Sequence, residues 1–209
     1  AGIHNDASNL TLRNVLVSGN SSDGFGGGIE FIDTPESLII NSTITGNQSQ
    51  DFGGGVQIIN SSPTVQNSIV WNNNSIEYNF ARADNFNIGT GEPVISYSLI
   101  QGCNPGGTWD EFCGTDGGNN LSDEDPLFDT DITPGDSPTT DGDFSLTSSS
   151  PVINIGDNTL YTDSGGDINN DLDLAKEPRL FDGATDVIDL GAYEFQGEPD
   201  SEEPEFAPF

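Results

Sequence analysis

An internal repeat constrains the fold of this chain more than any other feature of the sequence. The stretch NVLVSGN at residues 14–20 returns as NSTITGN at 41–47 and as NSIVWNN at 67–73. A looser copy begins at Pro93 after a longer insertion, so four repeats of about 27 residues are present, a period typical of solenoids. Ala1 falls partway through a repeat, and we therefore expect further coils upstream of it.

Each repeat contains short runs of Val, Ile, Leu and Thr between Gly, Asn and Ser turns, without helical periodicity. A unit this small cannot bury its own apolar face, whereas stacked copies place equivalent residues in columns about 4.8 Å apart. The leucine-rich pattern L-x-x-L-x-L is absent, which excludes a leucine-rich solenoid. The stacked short strands therefore predict an all-β fold, a parallel β-helix. The predicted inward columns are Ile3, Ile29 and Val56; Leu12, Ile39, Val65 and Ile95; and Val17, Ile44, Val70 and Ile100.

Glycine and asparagine recur in register with these columns. FGGGI at 25–29 matches FGGGV at 52–56, and such blocks suit a tight corner that needs positive φ or close backbone approach. Asn20, Asn47 and Asn73 are predicted to stack at another corner as a hydrogen-bonded ladder.

The charge balance limits the partners of this protein. There are 35 Asp and Glu residues against 4 Lys and Arg, a formal charge of −31, which argues against nucleic acid and anionic membranes and favours cations. A carboxylate-rich surface also keeps a secreted or salt-adapted protein soluble. No apolar run approaches the roughly 18 to 20 residues that span a bilayer, so direct membrane insertion is not expected.

The two cysteines lie in a Gly-rich loop that also contains Trp109 and Phe112. Cys103 and Cys113 are ten positions apart, which suits a local disulfide formed in an oxidising compartment. A pair of reduced thiols is the alternative, and a metal site is least favoured because no His lies nearby.

The densest cluster of oxygen ligands lies at residues 163–173 and is a candidate calcium site. The predicted ligands are Asp163, Asp167, Asn169, Asp171 and Asp173. The loop is not an EF-hand, because Leu172 replaces the required Gly and Pro178 replaces the bidentate Glu. The alternative is a solvated acidic loop neutralised by Lys176 and Arg179.

The repeat gives way to Asp- and Pro-rich sequence at about residue 123. We predict coils over 1–122, a C-terminal coil and cap over 123–195, and an acidic linker or tail over 196–209. A solenoid end exposes strand edges and an apolar cross-section, so it needs a cap. The residues expected to cover the last coil are Phe128, Phe144, Leu146, Val152, Ile153 and Ile155. Those expected to close a final strand are Leu190, Ala192 and Tyr193.

Three phrases of this region carry a family resemblance: DPLF at 125–128, FSL followed by SPVINIGD within 144–157, and DLGAYE at 189–194. With the repeats, they resemble bacterial surface proteins of the choice-of-anchor Q type, common among Bacteroidetes. The resemblance implies a right-handed parallel β-helix with a C-terminal cap and, by analogy, export by a type IX system. It implies no particular activity.

Catalysis has little support in the sequence. A lyase acting on anionic sugars needs clustered basic residues, and the few in this chain are scattered. A glycoside hydrolase needs two carboxylates about 5 to 9.5 Å apart, and the column His4, Glu30, Gln57 offers one. We therefore predict no catalytic residues.

Two functional hypotheses follow from these observations. The first is a non-catalytic structural or adhesive module of a secreted or cell-surface bacterial protein, with extracellular glycans or surface and secretion-apparatus proteins as partners. The second is the terminal part of a polysaccharide lyase or glycoside hydrolase whose site lies in further coils upstream.

Overall fold

A computed structural model describes residues 1–77, 80–181 and 187–197, and these residues form a parallel β-solenoid of four coils. Coils one to three each contain four short strands. Those of coil one are β1 (Ile3–Asp6), β2 (Thr11–Arg13), β3 (Leu16–Ser18) and β4 (Ser21–Ser22). Those of coil two are β5 (Ile29–Ile32), β6 (Leu38–Ile40), β7 (Thr43–Thr45) and β8 (Gln48–Ser49). Those of coil three are β9 (Val56–Ile59), β10 (Thr64–Gln66), β11 (Ile69–Trp71) and β12 (Asn74–Ser75).

The later elements are less regular. Coil four comprises helix α1 (Ala81–Asn85) and strands β13 (Phe86–Ile88), β14 (Val94–Ser96) and β15 (Leu99–Ile100). After two 3-10 turns (Pro105–Gly107 and Glu111–Cys113), β16 (Thr115–Asp116) adds to the end. Beyond it lie β17 (Phe128–Thr130), a 3-10 turn (Pro134–Asp136), β18 (Asp143–Leu146) and α2 (Asn158–Asp163).

Equivalent strands of successive coils pair in parallel and build four sheets along the solenoid axis. The first sheet is β1-β5-β9-β13, the second β2-β6-β10-β14-β16, the third β3-β7-β11-β15 and the fourth β4-β8-β12. The residues of each predicted column are paired in register, and Phe86 extends the first column beyond Val56. A further buried pair, Phe31 and Ile58, lies in the first sheet two residues after Ile29 and Val56.

A disulfide loop closes the end of this core. Cys103 and Cys113 are bonded, with their Cα atoms 5.7 Å apart, and both are fully buried against the aliphatic columns. Trp109 packs on the same cluster, and its indole nitrogen donates to the Gly114 carbonyl at 2.9 Å. The predicted disulfide is therefore present, and its loop covers part of the apolar cross-section of the last coil.

The glycine corners allow coils to approach closely. Gly26 and Gly53 have positive φ values of 62° and 71°. A Cβ atom on Gly28 would lie 2.6 Å from the carbonyl oxygen of Gly55 in the next coil. A larger residue at this position would separate the coils.

The asparagine ladder forms as predicted, at the corner between the third and fourth sheets. Asn20 Nδ2 donates to Asn47 Oδ1 at 2.9 Å, and Asn47 Nδ2 donates to Asn73 Oδ1 at 2.9 Å. Asn47 also donates to the Val17 and Thr45 carbonyls and is fully buried. The ladder therefore satisfies backbone groups that the corner removes from the sheets.

Helix α1 replaces the strand that coil four would otherwise add to the fourth sheet. The side chain of Asn85 accepts from the Asn73 backbone and side-chain amides, both at 3.0 Å, and so continues the ladder. Asp84 accepts from the Ser75 backbone amide at 3.0 Å and from the Ser75 hydroxyl. Two side chains of α1 therefore terminate the edge that β12 would expose.

The C-terminal segment, residues 123–181 and 187–197 of the described chain, lies along the side of the solenoid. We expected its apolar residues to cover the end of the last coil. Instead most of them form a second cluster on the outer face of the third sheet, against Ile69 and Leu99. Phe128 and Phe144 of the antiparallel hairpin β17–β18 meet edge to face at 5.5 Å within this cluster.

The final strand expected at Leu190, Ala192 and Tyr193 is not formed. Leu190 and Ala192 are fully buried, and the Ala192 amide donates to the Thr43 hydroxyl at 3.0 Å. The outer face of the third sheet attracts this segment because it is apolar, whereas the disulfide loop already covers part of the solenoid end. Of the predicted tail 196–209, residues 198–209 lie outside the described residues.

Asn47→Ala should destabilise the protein by about 2 to 4 kcal/mol, because it leaves several buried donors and acceptors without partners. Asn20→Ala is the matched control, since Asn20 is half-buried and lies at the end of the ladder. It should cost about 1 kcal/mol. Urea unfolding of both variants measures the difference, and equal losses would show that the buried ladder adds nothing.

Asp84→Asn should make stability less sensitive to pH. Burial raises the pKa of Asp84, more than its hydrogen bonds with Ser75 lower it. The folded state therefore holds this proton more tightly than the unfolded chain, and stability falls as the pH rises from the unfolded pKa through the raised pKa. The variant should gain stability over the wild type above about pH 4.

Urea unfolding of both proteins across this pH range tests the prediction. Asp23→Asn removes a charge from an exposed position and controls for net charge. Parallel stability curves for Asp84→Asn and the wild type would refute the prediction.

Candidate functional site

The acidic loop at 163–173 follows α2 and is attached to coil one. Arg13 Nη1 donates to the Ser164 carbonyl at 2.7 Å, and Asn14 Nδ2 donates to the Tyr161 hydroxyl at 2.8 Å. That hydroxyl in turn donates to Asp171 Oδ2 at 2.8 Å. Burial, and then the hydrogen bond to Asp171, raise the pKa of Tyr161, which keeps the phenol protonated as a donor.

Two carboxylates of the loop, those of Asp171 and Asp173, accept hydrogen bonds from within the protein. Asp171 Oδ2 also accepts from the Asp167 amide at 2.9 Å. Asp173 is buried and accepts from the Glu177 and Glu194 amides, each at 2.9 Å. The backbone turns at this loop, and the Asp171 amide donates to the Asp167 carbonyl at 2.7 Å.

The remaining predicted ligands, Asp163, Asp167 and Asn169, are exposed. Across 1–77, 80–181 and 187–197, no three His, Cys, Asp or Glu side chains are grouped in a way that could hold a metal ion. Calcium binding by this loop stays a prediction from sequence.

The sequence left open that Arg179 neutralises the acidic loop from the surface. The structure contradicts this. Its side chain is fully buried, with Nη2 3.3 Å from the Gly191 carbonyl and 3.9 Å from Glu194 Oε2. The guanidinium carbon lies 5.8 Å from the centre of the Tyr161 ring. Arg179 therefore joins helix α2 to the last described residues of the C-terminal segment, a role that no local sequence pattern indicated.

The outward column of the first sheet contains the sole histidine. His4 Nδ1 lies 2.8 Å from Glu30 Oε2. Gln57 and Asn87 follow in register, are buried, and share a hydrogen bond of 3.0 Å. The column has one carboxylate, whereas glycoside hydrolysis requires two.

An exposed aromatic cluster near α1 was missed by the sequence analysis. The Arg82 guanidinium lies 5.5 Å from the ring centres of both Phe80 and Phe112, and its Nε is 3.6 Å from Asp110 Oδ2. Residues 80 and 112 are far apart in sequence and share no repeat position, so no pattern could have joined them. The cluster attaches the disulfide loop to α1.

No family model, no curated protein and no solved structure matches this chain. The β-helix implied by the resemblance is present, but its choice-of-anchor Q type is not confirmed. No helix in the described part of the chain is long and apolar enough to cross a membrane.

A calcium site at 163–173 predicts a calcium-specific rise in melting temperature. Binding to the folded state alone adds about 2.7 kcal/mol when free Ca²⁺ is about 100 times Kd. Asp167→Asn should abolish this rise, because Asp167 is an exposed predicted ligand, whereas Asp6→Asn at another exposed position should keep it.

Thermal unfolding with Ca²⁺, with Mg²⁺ and with EDTA, at matched ionic strength, makes the measurement. Equal responses to Ca²⁺ and Mg²⁺ would indicate screening of the −31 charge and would refute the site.

Proposed function

We propose that the chain is a non-catalytic structural module of a secreted or cell-surface bacterial protein. In this proposal the solenoid is a rigid element, and its own C-terminal segment braces it along one side. The observation that carries the proposal is a double row of contacts between this segment and successive coils.

The first row lies at the corner between the second and third sheets. Asparagines at the same position of three coils have positive φ, and their side chains donate to the C-terminal segment. The contacts are Asn14 with the Tyr161 hydroxyl at 2.8 Å, Asn41 with the Asp189 carbonyl at 3.0 Å, and Asn67 with the Asp157 carbonyl at 2.9 Å. Each of the three coils is thus joined to one common segment.

The second row lies at the opposite corner of the third sheet. In coil three, Asn72 Nδ2 donates to the Ile132 carbonyl of the C-terminal segment at 2.9 Å. The Ser137 hydroxyl donates to the Gly46 carbonyl at 2.7 Å in coil two, and the Thr139 amide to the Gly19 carbonyl at 2.9 Å in coil one. Ile132 also packs onto Gly46, where a Cβ atom would collide with its side chain.

These rows tie coils one, two and three together on both sides of one sheet. Separating two coils would break the strand pairing, the asparagine ladder and the contacts of the C-terminal segment at once. Such an arrangement suits a spacer or stalk that bears load better than a site that must open and close.

The proposed location rests on the disulfide and on the charge. Disulfides persist in oxidising compartments outside the cytoplasm, and a strongly acidic surface favours solubility. The family resemblance supports a bacterial surface, with export by a type IX system and with surface or secretion-apparatus proteins or extracellular glycans as partners.

Removing two of the three contacts of the first row should loosen the brace. In Asn41→Ala/Asn67→Ala, each lost buried contact should cost about 1 to 3 kcal/mol, and single-molecule pulling from the chain ends should detach the C-terminal segment at lower force. Asn60→Ala is the matched control. Asn60 also has positive φ, 49°, but its side chain bonds Asp33 within the solenoid.

Two results would contradict the proposal. One is an equal loss of force per substitution in the control. The other is turnover of a neutral or anionic polysaccharide by the chain, detected as new reducing ends or unsaturated products.

A further inference from the structure

A cleft opens beside the last coil, just beyond the last contact of the asparagine row. It lies between coil four, the loop after β16 and the C-terminal segment, and its volume is about 500 Å³. This volume falls in the range of roughly 300 to 1,000 Å³ typical of small-molecule sites. Its lining includes Tyr97, Asn119, Leu121, Glu124, Asn154 and Ile155.

Tyr97 occupies the position in coil four that asparagine holds in the preceding coils. Gln66 pairs with Ser96, so Tyr97 follows Asn67 in the column, and their φ values are 47° and 46°. Asparagine adopts this conformation readily, but for a bulky residue it is an outlier that costs about 1 to 2 kcal/mol. Coil four thus keeps the positive-φ backbone conformation of the column but has a tyrosine where an asparagine would adopt it with less strain.

The substitution also ends the row of contacts. The last asparagine of the row, Asn67, donates to the Asp157 carbonyl at 2.9 Å, and its Oδ1 accepts from the Asp157 amide at 2.9 Å. At Tyr97 no described residue of the C-terminal segment takes up an equivalent bond, and the half-buried ring forms part of the cleft wall.

Among the described residues that line the cleft, the polar side chains are the amides of Asn119, Asn120 and Asn154, the Tyr97 hydroxyl and the Glu124 carboxylate. Asn120 is held by bonds to the Ile95 carbonyl and the Ser98 amide, whereas its neighbour Asn119 is exposed at the cleft. Glu124 presents an exposed carboxylate. Among the described residues that line the cleft there is no Lys, Arg or His.

We infer that this cleft binds a neutral carbohydrate. An aromatic ring offers a face for the C–H groups of a sugar, and amide and carboxylate side chains bind hydroxyl groups. Glu124 and the charge of −31 disfavour anionic sugars, because no cation among the described lining residues compensates them. A basic peptide would be bound by several carboxylates, whereas the described lining contains one. The inference rests on the proposed non-catalytic function and names a ligand class for it.

Isothermal titration of the full chain with cellohexaose, mannohexaose and laminarihexaose tests the inference, with hexagalacturonate as the anionic comparison and a hexalysine peptide as the basic one. At least one neutral probe should bind more tightly than hexagalacturonate. Tyr97→Ala should weaken that binding about tenfold, the effect of losing one aromatic contact. Glu124→Gln should also weaken it.

Tyr97→Asn separates the ligand role from folding. It restores the residue type of the column, so it should raise the melting temperature while it weakens binding to the same extent as Tyr97→Ala. Phe112→Ala is the control, since Phe112 is 65% exposed and lies outside the cleft. It should leave the affinity unchanged.

Three outcomes would overturn the inference: no binding of any neutral probe, wild-type affinity in Tyr97→Asn, or tighter binding of hexagalacturonate or of a hexalysine peptide. Cleavage of a bound probe would instead overturn the non-catalytic function, so the two proposals fail separately.

Discussion

Axial register is the constraint on which the rest of this structure depends. Each solenoid strand pairs with the equivalent strand of a neighbouring coil, and a slip of one residue would turn the inward aliphatic side chains outward. Buried asparagines enforce the register, because Asn47 can bond both neighbours only when the three corners are aligned. Close approach at Gly28 has the same effect, since it leaves no room for a shifted side chain.

The third sheet explains why the C-terminal segment lies beside the coils. Its strands carry adjacent apolar residues, such as Ile69 followed by Val70 and Leu99 followed by Ile100. One member of each pair points into the solenoid, and the other must be covered from outside. The hairpin β17–β18 and the chain after it supply that cover, and the two rows of hydrogen bonds at the corners hold it in place.

Several of the acidic residues have structural roles inside the fold and are not only surface charges. Asp84 terminates a sheet edge, and Asp171 accepts a hydrogen bond from the Tyr161 hydroxyl. Asp173 accepts hydrogen bonds from two backbone amides. Asp171 and Asp173 replace backbone acceptors in the C-terminal segment, which has few regular strands. The carboxylate of Glu124 differs from them because it is exposed at a cleft beside an aromatic ring.

The sequence by itself determined the coils, the inward columns, the glycine and asparagine corners and the disulfide. All of these depend on contacts between residues about one period apart or within one loop, and a repeat displays such contacts directly. Only the tertiary structure decided the position of the C-terminal segment, the environment of Arg179 and the cleft at Tyr97. Those features depend on pairs such as Arg13 and Ser164, which are 151 residues apart, and no periodic pattern records which distant surfaces bury each other.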